Sequence, residues 1–300
     1  MNLRQLEYFL AVVDEGSFRR GAQRSMVSPP SLSQQIRVLE RELGGDLIER
    51  LPRGIRLTAA GKAFLPEARA AVLASQRAVR AARGALALDR AELEIATVTS
   101  LSVGILPASI QRLHEARPAI VVRLQEYTHR DALAEAVRSG VGDIAIGPRP
   151  AHWDGPVESL GFEQFVVVLG PRAPLWDQAG PVELAALAER DWVLFPPWHG
   201  LADLTTTACA SAGFLPRDAV RTGQVEAAAR LAAAGLGVTI VPDNIVPAHL
   251  AEHVRPLEPP IVRELVAYTR SEWSPQAQAF LDALRSADWQ RRPREALEIT

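Results

Sequence analysis

Apolar positions fall into two regimes along the 300-residue chain. Over the first stretch they recur at the three-to-four-residue spacing of amphipathic helices. Leu3, Leu6, Phe9, Leu10 and Val13 mark one helix, which stops at Gly16. Ser17 suits the N-cap of a second helix holding Phe18 and Ala22. Ser28-Pro29-Pro30 opens a third. The serine caps it, and proline in the first turn forfeits no hydrogen bond because the N–H groups there lack helical partners anyway. Leu32, Ile36, Leu39 and Leu43 form its apolar stripe, and Gly44-Gly45 ends it. Two short β runs, 47–50 and 55–57, flank the turn Leu51-Pro52-Arg53-Gly54 and predict a hairpin. Thr58 then caps a long helix to about residue 88. Phe64, Leu65, Ala68, Val72, Ser75, Val79, Ala82 and Leu86 line one narrow face of it.

From Glu92 the pattern changes to short apolar runs between helical segments. Strands are predicted at 93–98, 119–125, 143–146, 165–169, 192–195, 235–242 and 264–268. Helices are predicted from Ser100 through Ile110, and at 132–138, 204–212, 227–234 and 275–287. This alternation argues for an α/β body with a largely parallel sheet. No internal repeat or low-complexity segment interrupts it.

Charge sharpens the division. Residues 1–90 carry 15 Lys+Arg against 9 Asp+Glu, and residues 91–300 carry 18 against 26. A basic head on an acidic body is the asymmetry expected if the head alone meets phosphate; chance clustering is the plain alternative. Cys209 is the single cysteine, which excludes an intramolecular disulfide, a cysteine-based zinc site and a two-cysteine redox switch. In an alanine-rich helix it reads as a buried, inert thiol. The N-terminus lacks the apolar core of a signal peptide, and no run approaches the ~18 apolar residues of a membrane span. The expected compartment is the cytoplasm, with no membrane partner.

Candidate chemistry concentrates in the head. Ser31, Ser33, Gln34 and Arg37 are expected on the face of the third helix away from Leu32, Ile36 and Leu39. Gln34 can pair with adenine N6 and N7, Ser33 can bond a base or a phosphate, and Arg37 suits a phosphate. Arg50, Arg53 and Arg56 cluster on the hairpin, where Arg53 suits a narrow minor groove. A merely solvated helix face and hairpin is the competing reading. No Gly-x-Ser-x-Gly elbow and no phosphate-binding glycine loop occurs, so an enzyme is a remote alternative and no cofactor is expected.

These residues carry a resemblance. Leu3-Arg4-Gln5-Leu6 with Phe9 and Val12, Gly16-Ser17-Phe18 with Ala22, and Val27-Ser28 with Pro30 match in order and spacing. So do Leu32-Ser33-Gln34-Gln35-Ile36, Leu39-Glu40, Leu43-Gly44, Glu49-Arg50, Leu57-Thr58 and Ala60-Gly61. Together they resemble the LysR-type transcriptional regulators. More loosely, Gly142-Asp143-Ile144-Ala145-Ile146 and the segment 235–242 look like landmarks of the same family. Pro29 departs from it, standing where members often have a glutamine. A base-reading amide is missing there, so contacts made from that position elsewhere are not carried over.

The resemblance implies a winged helix-turn-helix at 1–58, with residues 28–43 in the major groove of double-stranded DNA at a partially palindromic promoter site. Pro30, Ser31, Ser33, Gln34, Arg37 and Arg53 are the expected DNA-contacting set. It implies a linker helix at 59–90 that dimerises through Phe64, Leu65, Ala68, Val72 and Val79; packing of that face on the chain's own body is the alternative. It further implies a type 2 periplasmic-binding-protein-like body of two α/β subdomains, about 91–162 with 268–300, and 163–267. The chain crosses between them around 161–165 and 263–269. A small, anionic effector is expected in the intervening cleft, near Ser100, Leu101, Ser102, Thr128, His129, Trp198, His199 and Gln224. Ser100 also reads as a plain N-cap, the commoner use of such a serine and compatible with effector contact, and Trp198 reads equally as packing on its own subdomain. A homotetramer and contact with RNA polymerase are further implications. A ligand-independent regulator of the same fold is the alternative function.

Overall fold

The structure is a computed structural model that describes the chain except for residues 86–90, 172–175, 177–179, 288, 290–292, 294, 295 and 300, and the side chains of 80, 81 and 83–85. It divides into two compact units, Met1–Asp89 with Arg138–Val141, and Arg90–Val137 with Gly142–Thr300.

The first unit is built on helices α1 (Leu3–Glu15), α2 (Phe18–Arg24) and α3 (Pro29–Leu43). Asn2 and Gln5 form a reciprocal capping box at the start of α1, and Gly16 ends it in the left-handed region at φ +60°. Helices α1 and α2 cross where a side chain will not fit. A Cβ on Gly21 would stand 2.9 Å from the Cα and N of Val12. Ser17 occupies the N-cap position of α2, but its hydroxyl makes no capping bond. The turn into α3 uses an unusual residue. Met26 takes φ +53° without being glycine. The amides of Met26 and Val27 donate back to Gln23 and Ala22 carbonyls, so these helix-end bonds and the packing of Val27 on the core offset the steric cost. Ser28 Oγ accepts the Ser31 amide at 3.3 Å, as the sequence predicts.

Phe9, Val12, Leu32, Ile36 and Leu39 fill the core between these helices. Each fully buried side chain contributes about 1.5–3 kcal/mol. Leu43, expected in that stripe, is 44% exposed, because the helix has passed the end of the core by its last turn. Strands β1 (Ile48–Arg50) and β2 (Ile55–Leu57) form the antiparallel hairpin. Thr58 Oγ1 accepts the Gly61 amide to open α4 (Ala59–Ala85). The expected extension to residue 88, including Leu86, lies outside the described residues.

The second unit starts with β3 (Glu92–Val98). The helix expected from Ser100 to Ile110 is two helices, α5 (Thr99–Val103) and α6 (Leu106–Ala116), because the chain turns at Gly104-Ile105. Next come β4 (Val121–Tyr127), α7 (Arg130–Arg138) and β5 (Ile144–Pro148). The long β6 (Val157–Val168) crosses to a second lobe containing β7 (Val182–Glu183), β8 (Asp191–Leu194), α8 (Gly200–Ser211), β9 (Arg217–Arg221), α9 (Val225–Ala233) and β10 (Thr239–Pro242). The return strand β11 (Val254–Tyr268) leads to α10 (Pro275–Arg285) and the short β12 (Leu297–Glu298). The strand expected at 235–242 begins only at Thr239; a turn closes α9 first, and Val238 makes a single bridge to Trp192.

The main sheet runs β10-β6-β11-β5-β3-β4. It is not largely parallel. Strands β4, β3 and β5 are parallel, but β6 and β11 pair antiparallel with each other, and each also pairs antiparallel with its outer neighbour. Both crossing strands traverse the two lobes, so the connections between lobes lie inside one ladder. Each lobe keeps its own core. Leu93, Ile95, Ile146, Leu265, Tyr268 and Phe280 belong to the first, and Phe165, Val167, Trp192, Leu204, Ala229 and Ile240 to the second. Two details differ from the expected subdomain limits: Leu265 packs in the first lobe, and Ile299 packs in the second.

Candidate functional site

In the head, Pro30, Ser31, Gln34 and Arg37 are exposed along the first half of α3, and Arg53 is exposed at the hairpin tip. Ser33 is placed differently from the expectation: it is buried. It follows Leu32 and precedes Ile36 by three, which turns it towards the core flank of the helix, where the hairpin folds over it. Its Oγ accepts from Arg50 Nη2 at 2.5 Å and from Arg37 Nη2 at 3.4 Å. The Arg50 guanidinium lies 4.0 Å from the centre of the Phe18 ring. Glu40 Oε1 accepts the Leu47 and Ile48 amides, tying the hairpin to α3. Arg56 is neutralised by Glu49 at 2.5 Å.

The residues expected to dimerise are largely engaged within the chain. Phe64 packs edge-on against Phe9 with ring centres 5.3 Å apart, and Leu65 packs on the head core beside it. Ala68 and Val72 are buried in that core. Val79 alone of the five is exposed, at 51%. Helical spacing does not distinguish a stripe that completes its own domain from one that faces a second copy.

In the body, a cavity of about 110 Å³ opens between the lobes. The first lobe contributes Ser100 and the loop 128–131 after β4, and the second contributes the start of α8; Arg263 of β11 and Ile299 complete the wall. Hydrogen bonds span the cleft. The Gly200 amide donates to the Thr128 carbonyl at 2.8 Å, and His129 Nε2 meets Asp203 Oδ2 at 3.1 Å. His129 Nδ1 accepts the Asp131 amide, and His199 Nδ1 accepts the Leu201 amide. In its neutral form the His199 ring therefore carries its proton on Nε2. His199 is buried, stacks on Phe195 at 4.8 Å, and its Nε2 has no partner among the described residues. Burial, reinforced by the Arg263 and His129 charges, pushes its pKa down to about 4, so it is a neutral N–H donor.

Arg263 and Glu163 sit opposite one another on the crossing strands. Arg263 donates Nε and Nη2 to Glu163 Oε1 at 3.0 and 2.6 Å, with side chains 8% and 0% exposed. Burial pushes the Glu163 carboxyl up, and the Arg263 guanidinium pulls it back. Sequence reading did not single out this pair. The available signal was a charged residue inside each apolar run, Phe162-Glu163-Gln164-Phe165 and Val262-Arg263-Glu264-Leu265.

Of the eight residues expected at the cleft, Ser100, Thr128, His129 and His199 line the cavity. The other four do not. Leu101 is buried in the first-lobe core, and Ser102 donates its hydroxyl to the Thr99 carbonyl and bonds Glu126. Trp198 points outward, 59% exposed, against Gly223. Gln224 is the exposed N-cap residue of α9. Ser100 is the second residue of a five-residue helix rather than its cap.

Elsewhere, Cys209 is fully buried, and burial pushes its thiol up to about 12. His249 and His253 have the four-residue spacing of a zinc-binding pair but lie on a 3-10 helix, Ala248–His253, where that spacing does not share a face. Among the described residues no group of three or more His, Cys, Asp or Glu is arranged to hold a metal, and no helix is long and apolar enough to cross a membrane.

Residues 3–62 match the family of bacterial regulatory helix-turn-helix proteins of lysR type, and residues 87–289 match the LysR substrate binding domain. Among curated relatives, the HTH-type transcriptional regulator IlvR of Caulobacter vibrioides is 31% identical over 291 residues, 94% of this chain and 96% of IlvR. The HTH-type transcriptional regulator ShiR of Corynebacterium glutamicum is 34% identical over 270 residues, 84% of this chain and 89% of ShiR. Among solved structures, full-length CbnR in complex with its target DNA superposes with a TM-score of 0.70 at 26% identity, covering 95% of this chain and 99% of CbnR. Full-length OxyR from Pseudomonas aeruginosa shares the fold, with a TM-score of 0.71 at 24% identity, covering 98% and 99%. With head and body each matched and full-length relatives this similar, the chain is a DNA-binding transcriptional regulator of the LysR family.

Proposed function

We propose that this regulator reads DNA through the exposed face of α3, associates with itself through the outer part of α4, and responds to a small anion held between its lobes. The CbnR–DNA complex supports the first part, since that relative has the same architecture. Gln34 reads a base, and Arg53 at the hairpin tip meets the minor groove. Val79 supports the second part as a large apolar side chain of α4 that is exposed. The observation that carries the third is the Arg263 guanidinium, buried in the cavity wall beside the neutral His199 N–H donor. Arg130 and the N-terminal ends of α7 and α8 add positive potential at the same cavity. Asp131 and Asp203 also line the cavity, and they are partnered there, Asp131 by Arg130 at 3.3 Å and Asp203 by His129 at 3.1 Å.

The test is a thermal-shift and calorimetric screen of small aliphatic and aromatic carboxylates on the full-length protein. A raised melting temperature with one of them, lost in the paired variant Arg263→Met/Glu163→Met, is the expected result. Replacing both partners together keeps the core free of an unpaired charge. A carboxylate response unchanged in that variant removes Arg263 from the site. A complete blank with DNA binding intact favours a ligand-independent regulator.

A further inference from the structure

We propose that Arg37 and Arg50 form one seat for a single backbone phosphate of double-stranded DNA, with Ser33 as the residue that positions both. The proposal rests on the DNA-reading role of α3. Arg37 comes from the recognition helix and Arg50 from the hairpin, yet both donate to the same oxygen, Ser33 Oγ. Two guanidinium groups converging on one hydroxyl repel each other. Among the described residues, neither pairs with a carboxylate. Other arginines of the same unit are neutralised: Arg56 by Glu49, Arg24 by Asp14 and Glu15, and Arg69 by Asp14. An anion placed between Arg37 and Arg50 relieves the repulsion.

The local chemistry suits a phosphate. The face of Phe18 fixes the plane of the Arg50 guanidinium, so its fork is held before DNA arrives. With both lone pairs of Ser33 Oγ occupied by arginine N–H groups, its own O–H is left to donate. Both arginines are exposed, while Ser33 is buried beneath them. The three side chains thus offer N–H and O–H donors, and no acceptor of their own, to one point between helix and hairpin. In this reading Ser33 identifies no base. It locks the hairpin to the recognition helix at the spacing of one phosphate.

The test uses the full-length protein and a duplex that the wild type selects from a randomised library. Backbone phosphates of that duplex are replaced one at a time by neutral methylphosphonates. One position should weaken wild-type binding about tenfold, and the same replacement should cost Arg37→Ala and Arg50→Ala little. The double variant should lower the slope of log K against log salt by about 1, the value for a single phosphate. Ser33→Ala should lose the same position, and Ser33→Thr should restore it with an unchanged melting temperature. Sensitivities of Arg37 and Arg50 that map to two different phosphates overturn the shared seat. Inorganic phosphate that protects the free protein at millimolar concentration, with no sensitive position in the duplex, overturns the DNA assignment in favour of a free anion. A library that yields no duplex refutes the DNA-reading role itself, and the seat with it.

Discussion

Removing the guanidinium of Arg263 while leaving Glu163 in place should be one of the most damaging single changes in the body. Glu163 is fully buried, and both hydrogen bonds from Arg263 go to the same carboxylate oxygen. In Arg263→Met the carboxylate keeps its burial and loses its counter-ion, a change that costs about 3–5 kcal/mol at neutral pH. A body of this size shifts its melting temperature by about 2–4 °C per kcal/mol, so the expected loss is roughly 6–20 °C. The sign of the pH dependence follows from the carboxyl, which burial already holds above its ordinary 4.5. Without Arg263 it rises further. The folded state then retains a proton that the unfolded chain releases, so stability is present below pH 4.5 and is lost as pH rises through the folded value. The deficit relative to wild type should therefore be largest near pH 7 and shrink towards pH 4.5. Far-UV circular dichroism melts of both proteins across that range read this directly. Arg263→Met/Glu163→Met should recover most of the loss, since the buried charge is gone. A single variant melting within about 2 °C of wild type at pH 7, or a deficit independent of pH, would refute the reasoning.

Other outcomes follow from the same geometry. His199 is neutral when folded but protonates near 6.5 when unfolded, so its stability contribution is lost as pH falls from 6.5 to about 4. His199→Asn keeps a capping acceptor and should remove a slope of up to about 1.4 kcal/mol per pH unit; parallel wild-type and variant curves would contradict this. Phe64→Ala should destabilise the head by about 2–4 kcal/mol in thermal melts while leaving the sedimentation profile unchanged. A variant that melts normally but dissociates would return Phe64 to an interface. Gln34→Ala should weaken a selected duplex by about 1–3 kcal/mol and relax one base position, whereas Arg53→Ala should weaken binding evenly across sequences, both measured on operator variants. Cys209 should resist thiol reagents at pH 8 until urea is added; immediate reaction of the native chain would show that its burial is wrong.

The head was the most legible part of the sequence because its information is local. Caps, prolines and stripe residues specify α1, α3 and the hairpin within a few positions of themselves. What escaped was decided by contacts between elements. Nothing within α3 says that the hairpin will fold over Ser33, and the stripe on α4 reads alike whether Phe9 or another chain meets it. In the body, apolar runs located β3, β4, β5, β8 and parts of β6, β10 and β11, but not β7, β9 or β12, and not strand direction, which is set only on pairing. The cleft was half legible. Loops after strands gave Thr128, His129 and His199, but Trp198 and Gln224 lie on similar loops and face elsewhere. Arg263 and Glu163 become partners only in the β6–β11 register, a hundred residues apart in sequence.

That register also bears on how the protein is made. The first-lobe core joins Leu93 and Ile95 from the start of the body to Phe280, Leu281 and Leu284 from α10, with the second lobe inserted between them. A chain emerging from the ribosome therefore presents β3, β4 and β5 long before the residues that cover them. It must keep that apolar surface out of wrong contacts while the inserted lobe is synthesised. The second lobe, apart from Leu297 and Ile299, is synthesised by the end of β11 and is poised to condense first, so closing the first lobe becomes a late, length-limited step of synthesis. Nascent chains stalled just before Pro275 should yield a first lobe open to protease, and chains extended past Arg285 a protected one.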